Sequence, residues 1–388
     1  MQLPIYLDHA ATTPVRPEVI EAMMPYFTEA YGNPSTLYSV GMSAREAVED
    51  AREAIAETLN ATPEEIVFTS GGTEANNSAI RGIAEYAGKG HLITTNFEHH
   101  AVLDPMEKLE HEGFALTVLP VDREGMVTAQ QVADAIRPDT ILVSVMHANN
   151  EIGTIQPIAE IGALCRERGI VFHTDAVQTF GKLPLDVREQ KIDLLSISGH
   201  KLYAPKGVGA LYVRRGTRLS RFMEGGQQEK GRRGGTLNVP GIVGLGKATL
   251  IAREEMASEA TRLTALREIF LSQLLSAIPD LKVNGSRTHR LPYNLNLCFP
   301  GVEGESVLLA LDAMGICAAA GSACTTGSVK PSHVLTAIGL SSDEARSALR
   351  LTLGKSTDGG AVEYAAEQIR QIVQGLRSLG QRKQPASV

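Results

Sequence analysis

The strongest constraint on the fold of this chain is an alternation. From about residue 16 to 255, short apolar runs such as EIVFTS, TILVSVM and GIVFHTD take turns with segments of helical period such as SAREAVEDAREAIAETLN. Parallel strands need crossover connections, and strands buried on both faces read as continuous apolar runs. The pattern predicts βαβ units and an α/β domain whose mainly parallel sheet is covered on both faces. Beyond it come a long amphipathic helix, EEMASEATRLTALREIFLSQLLSAI, then strand-like LPYNLNLCF, helix-like GESVLLALDAMG, strand-like ALRLTLG and a closing helix, AVEYAAEQIRQIVQGLRSL. That change of pattern predicts a second, smaller α+β domain, and 388 residues suffice for both.

Charge narrows the partners. A formal net charge of -7 gives no basic field for nucleic acid or an acidic membrane, and RRGTRLSR and KGRR are short and interrupted. The opening MQLPIYLDHA lacks the positive start and apolar run of a signal peptide, and no apolar stretch approaches the ~20 residues that span a bilayer. The expectation is a soluble, cytoplasmic protein. Cys165, Cys298, Cys317 and Cys324 form no CxxC pair and are too few for a disulfide framework, so reduced thiols are expected.

In an open parallel sheet, ligands bind beyond the carboxyl ends of the strands, which makes the exits from the apolar runs the residues to inspect. Five exits carry polar or ionisable groups: Ser70-Gly71-Gly72-Thr73, His99-His100, HANNEIG with Asn150, Asp175 leading to Gln178, and Ser198-Gly199-His200-Lys201. Gly-Gly before a helix lets backbone N–H groups approach a phosphate, although it also serves as a plain tight turn. Lys201 directly follows a buried-looking strand; it either snorkels to water or, desolvated, forms a Schiff base with a carbonyl. Asp175 reads as an N-cap or as an anion for a pyridinium nitrogen. An amine, an anion and a phosphate loop together meet the needs of pyridoxal phosphate. No two histidines near these exits share helical ligand spacing and no cysteine stands beside them, so no metal site is expected.

One further stretch stands apart. In AAGSACTTGS, residues 319–328, Cys324 sits among glycines, alanines and hydroxyls with almost no bulk to bury it, which suits a reactive thiol on a loop better than a core residue. Cys298, in alternating NLNLCF, and Cys165, on a helix, read as core, and Cys317 is expected to pack as well.

From YLDHAATTP through GNPS, EIVFTSGGTEANN, HANNEIGTIQP, HTDAVQTFGKLPLDV, SGHKLYAPKGVGALYVRR and GGTLNVPGIVG to GSACTTGS and LRLTLG, the chain resembles the cysteine desulfurases, pyridoxal-phosphate enzymes of fold type I in the class V aminotransferase group. The resemblance implies a large domain, residues 15–257, with a mainly parallel seven-stranded sheet flanked by helices. Residues 1–14 with 258–388 would form the small domain, carrying a mobile cysteine loop at about 319–332. It implies that Lys201 carries the cofactor as a Schiff base, that Asp175 partners the pyridine nitrogen and that His99 stacks on the ring and moves protons. Gly72, Thr73, Ser198 and His200 would hold the phosphate, with Thr236 supplied by the other subunit of a homodimer. Asn150 and Gln178 would meet the ring face and its phenolic oxygen, and Arg350 with Asn33 the carboxylate of L-cysteine. Cys324 would receive the sulfur as a persulfide, for delivery to an iron–sulfur scaffold or another carrier in the manner of the long-loop branch. Tyr38, Ala319 and Ala320 depart from the usual pattern and bear on loop contacts and partner choice. Selenocysteine lyase is the enzymatic alternative, and a non-catalytic sulfur-carrier docking protein the alternative of another class.

Overall fold

The computed structural model describes residues 3–320 and 331–382, the side chains of 380–382 excepted. Thirteen strands are present among these residues: β1 (Ile5–Tyr6), β2 (Ile66–Thr69), β3 (His91–Thr95), β4 (Ala115–Leu119), β5 (Thr140–Ser144), β6 (Val171–Asp175), β7 (Leu194–Ser198), β8 (Gly209–Val213), β9 (Lys282–Val283), β10 (Asn294–Cys298), β11 (Ile316–Cys317), β12 (Ala319–Ala320) and β13 (Ala348–Thr352). Seven of them make the central sheet, in the order β2-β8-β7-β6-β5-β3-β4. Only β8 runs against its neighbours, so β2, β3, β5, β6 and β7 all end at one edge.

Nearly every residue of β2, β3 and β5 to β8 is buried, as expected for strands covered on both faces. One face packs Ile55, Phe68, Ile93, Val143, Phe172 and Ile197. The other packs Val67, Ile80, Leu92, Leu142, Leu194 and Leu211. These two sets alternate along the strands, for example Val67/Phe68 and Leu92/Ile93, which is the period-2 signature of a sheet between two helical layers.

A second sheet, β12-β13-β10-β9, is antiparallel throughout, and β1 pairs with β11 in a separate parallel ribbon. Its core contains Leu7, Phe270, Leu295, Phe299, Leu349 and Val362. The helix Val239–Ala277 serves both cores. Val239, Ile242 and Leu245 enter the first, while Leu263, Phe270 and Leu274 enter the second. At 39 residues it is about 58 Å long. It begins some fifteen residues before the amphipathic stretch read from the sequence, because its first part is buried against the large sheet's helices rather than amphipathic. Gly246 lets it approach the helix Ser39–Leu59 closely, since a Cβ there would stand 2.6 Å from that of Ala51.

Two of the cysteines behave as read: Cys165 and Cys298 are buried. Cys317 does not pack fully and is half-exposed, because its two-residue strand pairs only with β1 at the rim. Cys324 lies outside the described residues.

Candidate active site

The shared edge of the parallel strands opens into a cleft of ≈ 550 Å³. Each exit contributes to it: Ser70 to Thr73 after β2, His99 after β3, Met146 and Asn150 after β5, Asp175 and Gln178 after β6, and Ser198, His200 and Lys201 after β7, with Arg350 from β13, Asp8, and Ala10 to Thr12 completing the wall. The strand directions bring Ser70, His99, Asp175 and Lys201 to one edge, and the second sheet adds Arg350.

At one end the cleft is shaped for an anion. The helix Gly72–Ala87 points its N-terminus into it, beside Ser198 and His200. A Cβ on Gly72 would stand 2.7 Å from the Val177 side chain and 3.4 Å from that of Ser198, so only glycine leaves this cradle open. Glu74 Oε2 accepts from Ser70 N at 2.8 Å, and Arg233 pairs with its Oε1 at 2.8 Å, which fixes the loop from below.

Deeper in, Asp175 is 5% exposed and held at both oxygens, Oδ1 by Val177 N at 2.9 Å and Oδ2 by Asn76 Nδ2 at 2.7 Å. It caps the turn and faces the cleft, so the two roles open in the sequence are compatible. Lys201 Nζ donates to the carbonyls of Ala10 and Ala11, both at 2.6 Å. His99 caps the helix His100–His111, accepting at Nδ1 from Ala101 N at 3.0 Å. The neutral ring therefore carries its proton on Nε2. Burial lowers its pKa, against the opposing pull of Asp175, which keeps the imidazole neutral at pH 7. His200 is likewise pushed down to about 4 by burial and by Lys201, Lys206 and Lys182.

Arg350, also in the wall, is 3% exposed, with Nη2 on Asp8 Oδ1 at 2.8 Å and Nη1 on the Asn150 carbonyl at 3.3 Å. Its Nε is buried without a hydrogen-bond partner. An unpaired buried donor of this kind suits a carboxylate arriving from the cleft.

Two predicted residues are not brought to this cleft. Asn33 does not line it: it is exposed, and its Oδ1 instead accepts from Ser35 N at 3.0 Å, closing a local turn. Thr236 is also exposed and absent from the wall, and its segment is tied instead through Gly235 N to Gln228. Sequence reasoning assigned no role to Asp8, to the Ala10 and Ala11 carbonyls or to Asn76. The signal for the first three was YLDHAATTP, a motif whose strand lies in the separate β1–β11 ribbon; Asn76 is one turn into the helix that Gly72 starts. Among the described residues no three His, Cys, Asp or Glu side chains stand together as a metal site.

An anion cradle, a buried carboxylate and a lysine at the floor of one cleft, on an α/β fold with a mostly parallel sheet, define an enzyme of the fold-type I pyridoxal-phosphate class. The comparisons agree: residues 5–364 match the model of the family Aminotransferase class-V, and the chain belongs to that family. It is 50% identical over 386 residues to cysteine desulfurase IscS of Dictyoglomus turgidum, covering 99% of this chain and 98% of that one. A solved NifS-like protein superposes with a TM-score of 0.90 at 36% identity, covering 96% of this chain and all of that one. The structure of SspA in complex with cysteine gives 0.81 at 44% identity, covering 90% and 98%. Within the family this chain is a cysteine desulfurase and depends on pyridoxal phosphate.

Proposed function

We propose that the chain takes sulfur from L-cysteine, releases L-alanine and holds the sulfur as a persulfide on Cys324 before passing it to an iron–sulfur scaffold or another sulfur carrier. The observation that carries this reading is the convergence of groups on one cleft: Lys201, Asp175, the glycine cradle at Gly72, and Arg350 with a buried donor to spare. When bound, pyridoxal phosphate supplies an electron sink that lets bonds at Cα and Cβ of an amino acid break.

The chain's own groups would divide the work as follows. Gly72, Thr73, Ser198 and His200 hold the phosphate, the neutral His200 donating a hydrogen bond without adding charge. Asp175, clamped by Asn76 and Val177, keeps its carboxylate toward the ring nitrogen. His99 covers the ring face and presents its Nε2–H as a hydrogen-bond donor beside the reacting groups. Lys201 Nζ, once freed, takes the Cα proton, and the Ala10 and Ala11 carbonyls give its ammonium form a resting place. Arg350 and Asn150 orient the substrate carboxylate, while Gln178 donates to the ring's phenolic oxygen. Cys324 Sγ forms a bond to the substrate sulfur as the Cβ–S bond breaks, and protonation of the carbon skeleton yields alanine.

The division into a domain of residues 15–257 and a smaller one of 1–14 with 258–388 belongs to the same reading, as does a homodimer in the cytoplasm. The exposed side chains of Met24, Phe27, Tyr31, Leu37, Tyr38 and Met42, on one short stretch of chain, support an interface there, and Thr236 would then serve the partner subunit. No helix among the described residues is long and apolar enough to cross a membrane. The test is incubation with L-cysteine followed by intact-mass measurement. One added sulfur mapped to Cys324, and absent from Cys324→Ala, is the expected result; an adduct elsewhere, or none, refutes it.

A further inference from the structure

Tyr293, immediately before β10, is 3% exposed, and its hydroxyl reaches across from the second sheet to a single residue of the first. Its single O–H is shared between Gln178 Oε1 at 2.7 Å and the Gln178 carbonyl at 2.9 Å. Gln178 Nε2 in turn donates to the Ala10 carbonyl at 3.0 Å, the same oxygen that receives Lys201 Nζ at 2.6 Å. These contacts fix which way the amide points. A phenol O–H needs an acceptor opposite it and a carbonyl needs a donor, so Oε1 faces Tyr293 and Nε2 faces Ala10. Nε2 carries a second hydrogen, and Gln178 lines the cleft.

The phenol is itself held from the other side. Lys182 Nζ stands 4.3 Å from the centroid of the Tyr293 ring, is buried, and has no hydrogen-bond partner in the structure. Burial, with Lys201 nearby, pushes the Lys182 pKa down to about 7, and the amine packs over the ring face with its charged form favoured there by the aromatic quadrupole. Lys182 and Gln178 sit on consecutive turns of the segment after β6, Lys182 N bonding the Thr179 carbonyl. Burial also raises the Tyr293 pKa far above any working pH, so its hydroxyl stays a donor.

We infer that Tyr293 is a positioning residue for the cofactor: with its ring seated on Lys182, its hydroxyl holds the Gln178 amide so that the remaining Nε2–H faces the cleft. This rests on the reading that Gln178 donates to the phenolic oxygen of pyridoxal phosphate.

The test uses the purified holoenzyme and three single variants, Tyr293→Phe, Gln178→Leu and Lys182→Met, with the double variant Tyr293→Phe/Gln178→Leu. The readouts are the visible absorption maximum of the bound cofactor, the affinity of the resolved apoenzyme for pyridoxal phosphate, and the melting temperature. Tyr293→Phe is expected to move the band in the same direction as Gln178→Leu and to weaken cofactor binding about fivefold, the equivalent of one neutral hydrogen bond. The double variant is expected to go no further than Gln178→Leu alone, because the two residues act as one unit. Lys182→Met is expected to give a smaller shift in the same direction, and it carries the test if Tyr293→Phe does not fold. A band that moves with Gln178→Leu but not with Tyr293→Phe, or additive effects, or a lowered melting temperature with an unmoved band, overturns the inference and leaves the site reading intact. An unmoved band and unchanged affinity in Gln178→Leu removes Gln178 from the cofactor, and the inference falls with that reading.

Discussion

Replacing Arg350 with lysine separates the two things the residue offers, charge and geometry. The guanidinium is buried on β13, and two of its three nitrogens are already committed, Nη2 to Asp8 and Nη1 to the Asn150 carbonyl. Nε is the donor left for a substrate carboxylate. Lysine keeps the positive charge opposite Asp8 but presents one compact ammonium, which cannot reach Asp8 and a carboxylate through separate nitrogens. The loss is therefore one charge-assisted hydrogen bond, about 1.5–3 kcal/mol, or roughly 10- to 150-fold in kcat/KM. Because the carboxylate is bound in ground and transition states alike, most of the loss should fall on KM. The assay is alanine release over a range of L-cysteine concentrations, with thermal unfolding as a control on integrity. A variant that melts normally and keeps kcat/KM within about threefold of the parent would refute the placement of the carboxylate at Arg350.

Other expectations follow from neighbouring parts of the molecule. Lys201→Ala should purify without a visible cofactor band and without measurable turnover; a yellow, active variant would remove Lys201 from the chemistry. Glu229 is almost wholly buried, pairs with Arg52 Nη2 at 2.8 Å and accepts from Phe68 N, so Glu229→Ala leaves buried Arg52 with only Glu49 and the Ile66 carbonyl and should cost about 3 kcal/mol in urea unfolding; a cost under about 1 kcal/mol would contradict this. Acid should destabilise the fold. Burial holds His9, His147 and His200 at about 4 and His173 at about 3, so between pH 4.5 and 6.5 the unfolded chain binds protons that the folded one refuses, and this contribution is lost as pH falls below the unfolded value of about 6.5. Glu98, raised to about 8, and Glu151, raised to about 7, both by burial, act with the opposite sign over the same window, but two groups oppose four. The melting temperature should fall from pH 6.5 to 5, and a flat or rising profile would refute the balance.

The strand exits were legible because direction in a parallel sheet is a consequence of crossover connections, and the crossovers are written in the helical period. The pattern alone thus assigns residues 70–73, 99, 150, 175, 178, 198, 200 and 201 to one edge, where they line the cleft. What the pattern does not carry is contact between elements far apart in the chain. Asp8 is separated from Arg350 by 342 positions and Tyr293 from Gln178 by 115, and neither pair shares a period or a motif. Asn33 shows the converse limit. Its motif suggested proximity to the site, yet a short polar side chain next to proline and serine finds its nearest donor in its own turn. Cys317 was expected to pack, but its two-residue strand is covered on one face only: Ile316 is fully buried and Cys317, pointing the other way, is not.

The helix Val239–Ala277 has a bearing on how the molecule comes apart. Its first third is inserted in the core of the seven-stranded sheet and its last third in that of the antiparallel sheet, with an uninterrupted ladder of backbone hydrogen bonds between. Neither core can open at its end of this rod without exposing apolar side chains that the other needs held in line, and fraying has no glycine or proline break in the middle at which to stop. Two hydrophobic centres joined in this way share one melting cooperativity, as a hinge-linked pair would not.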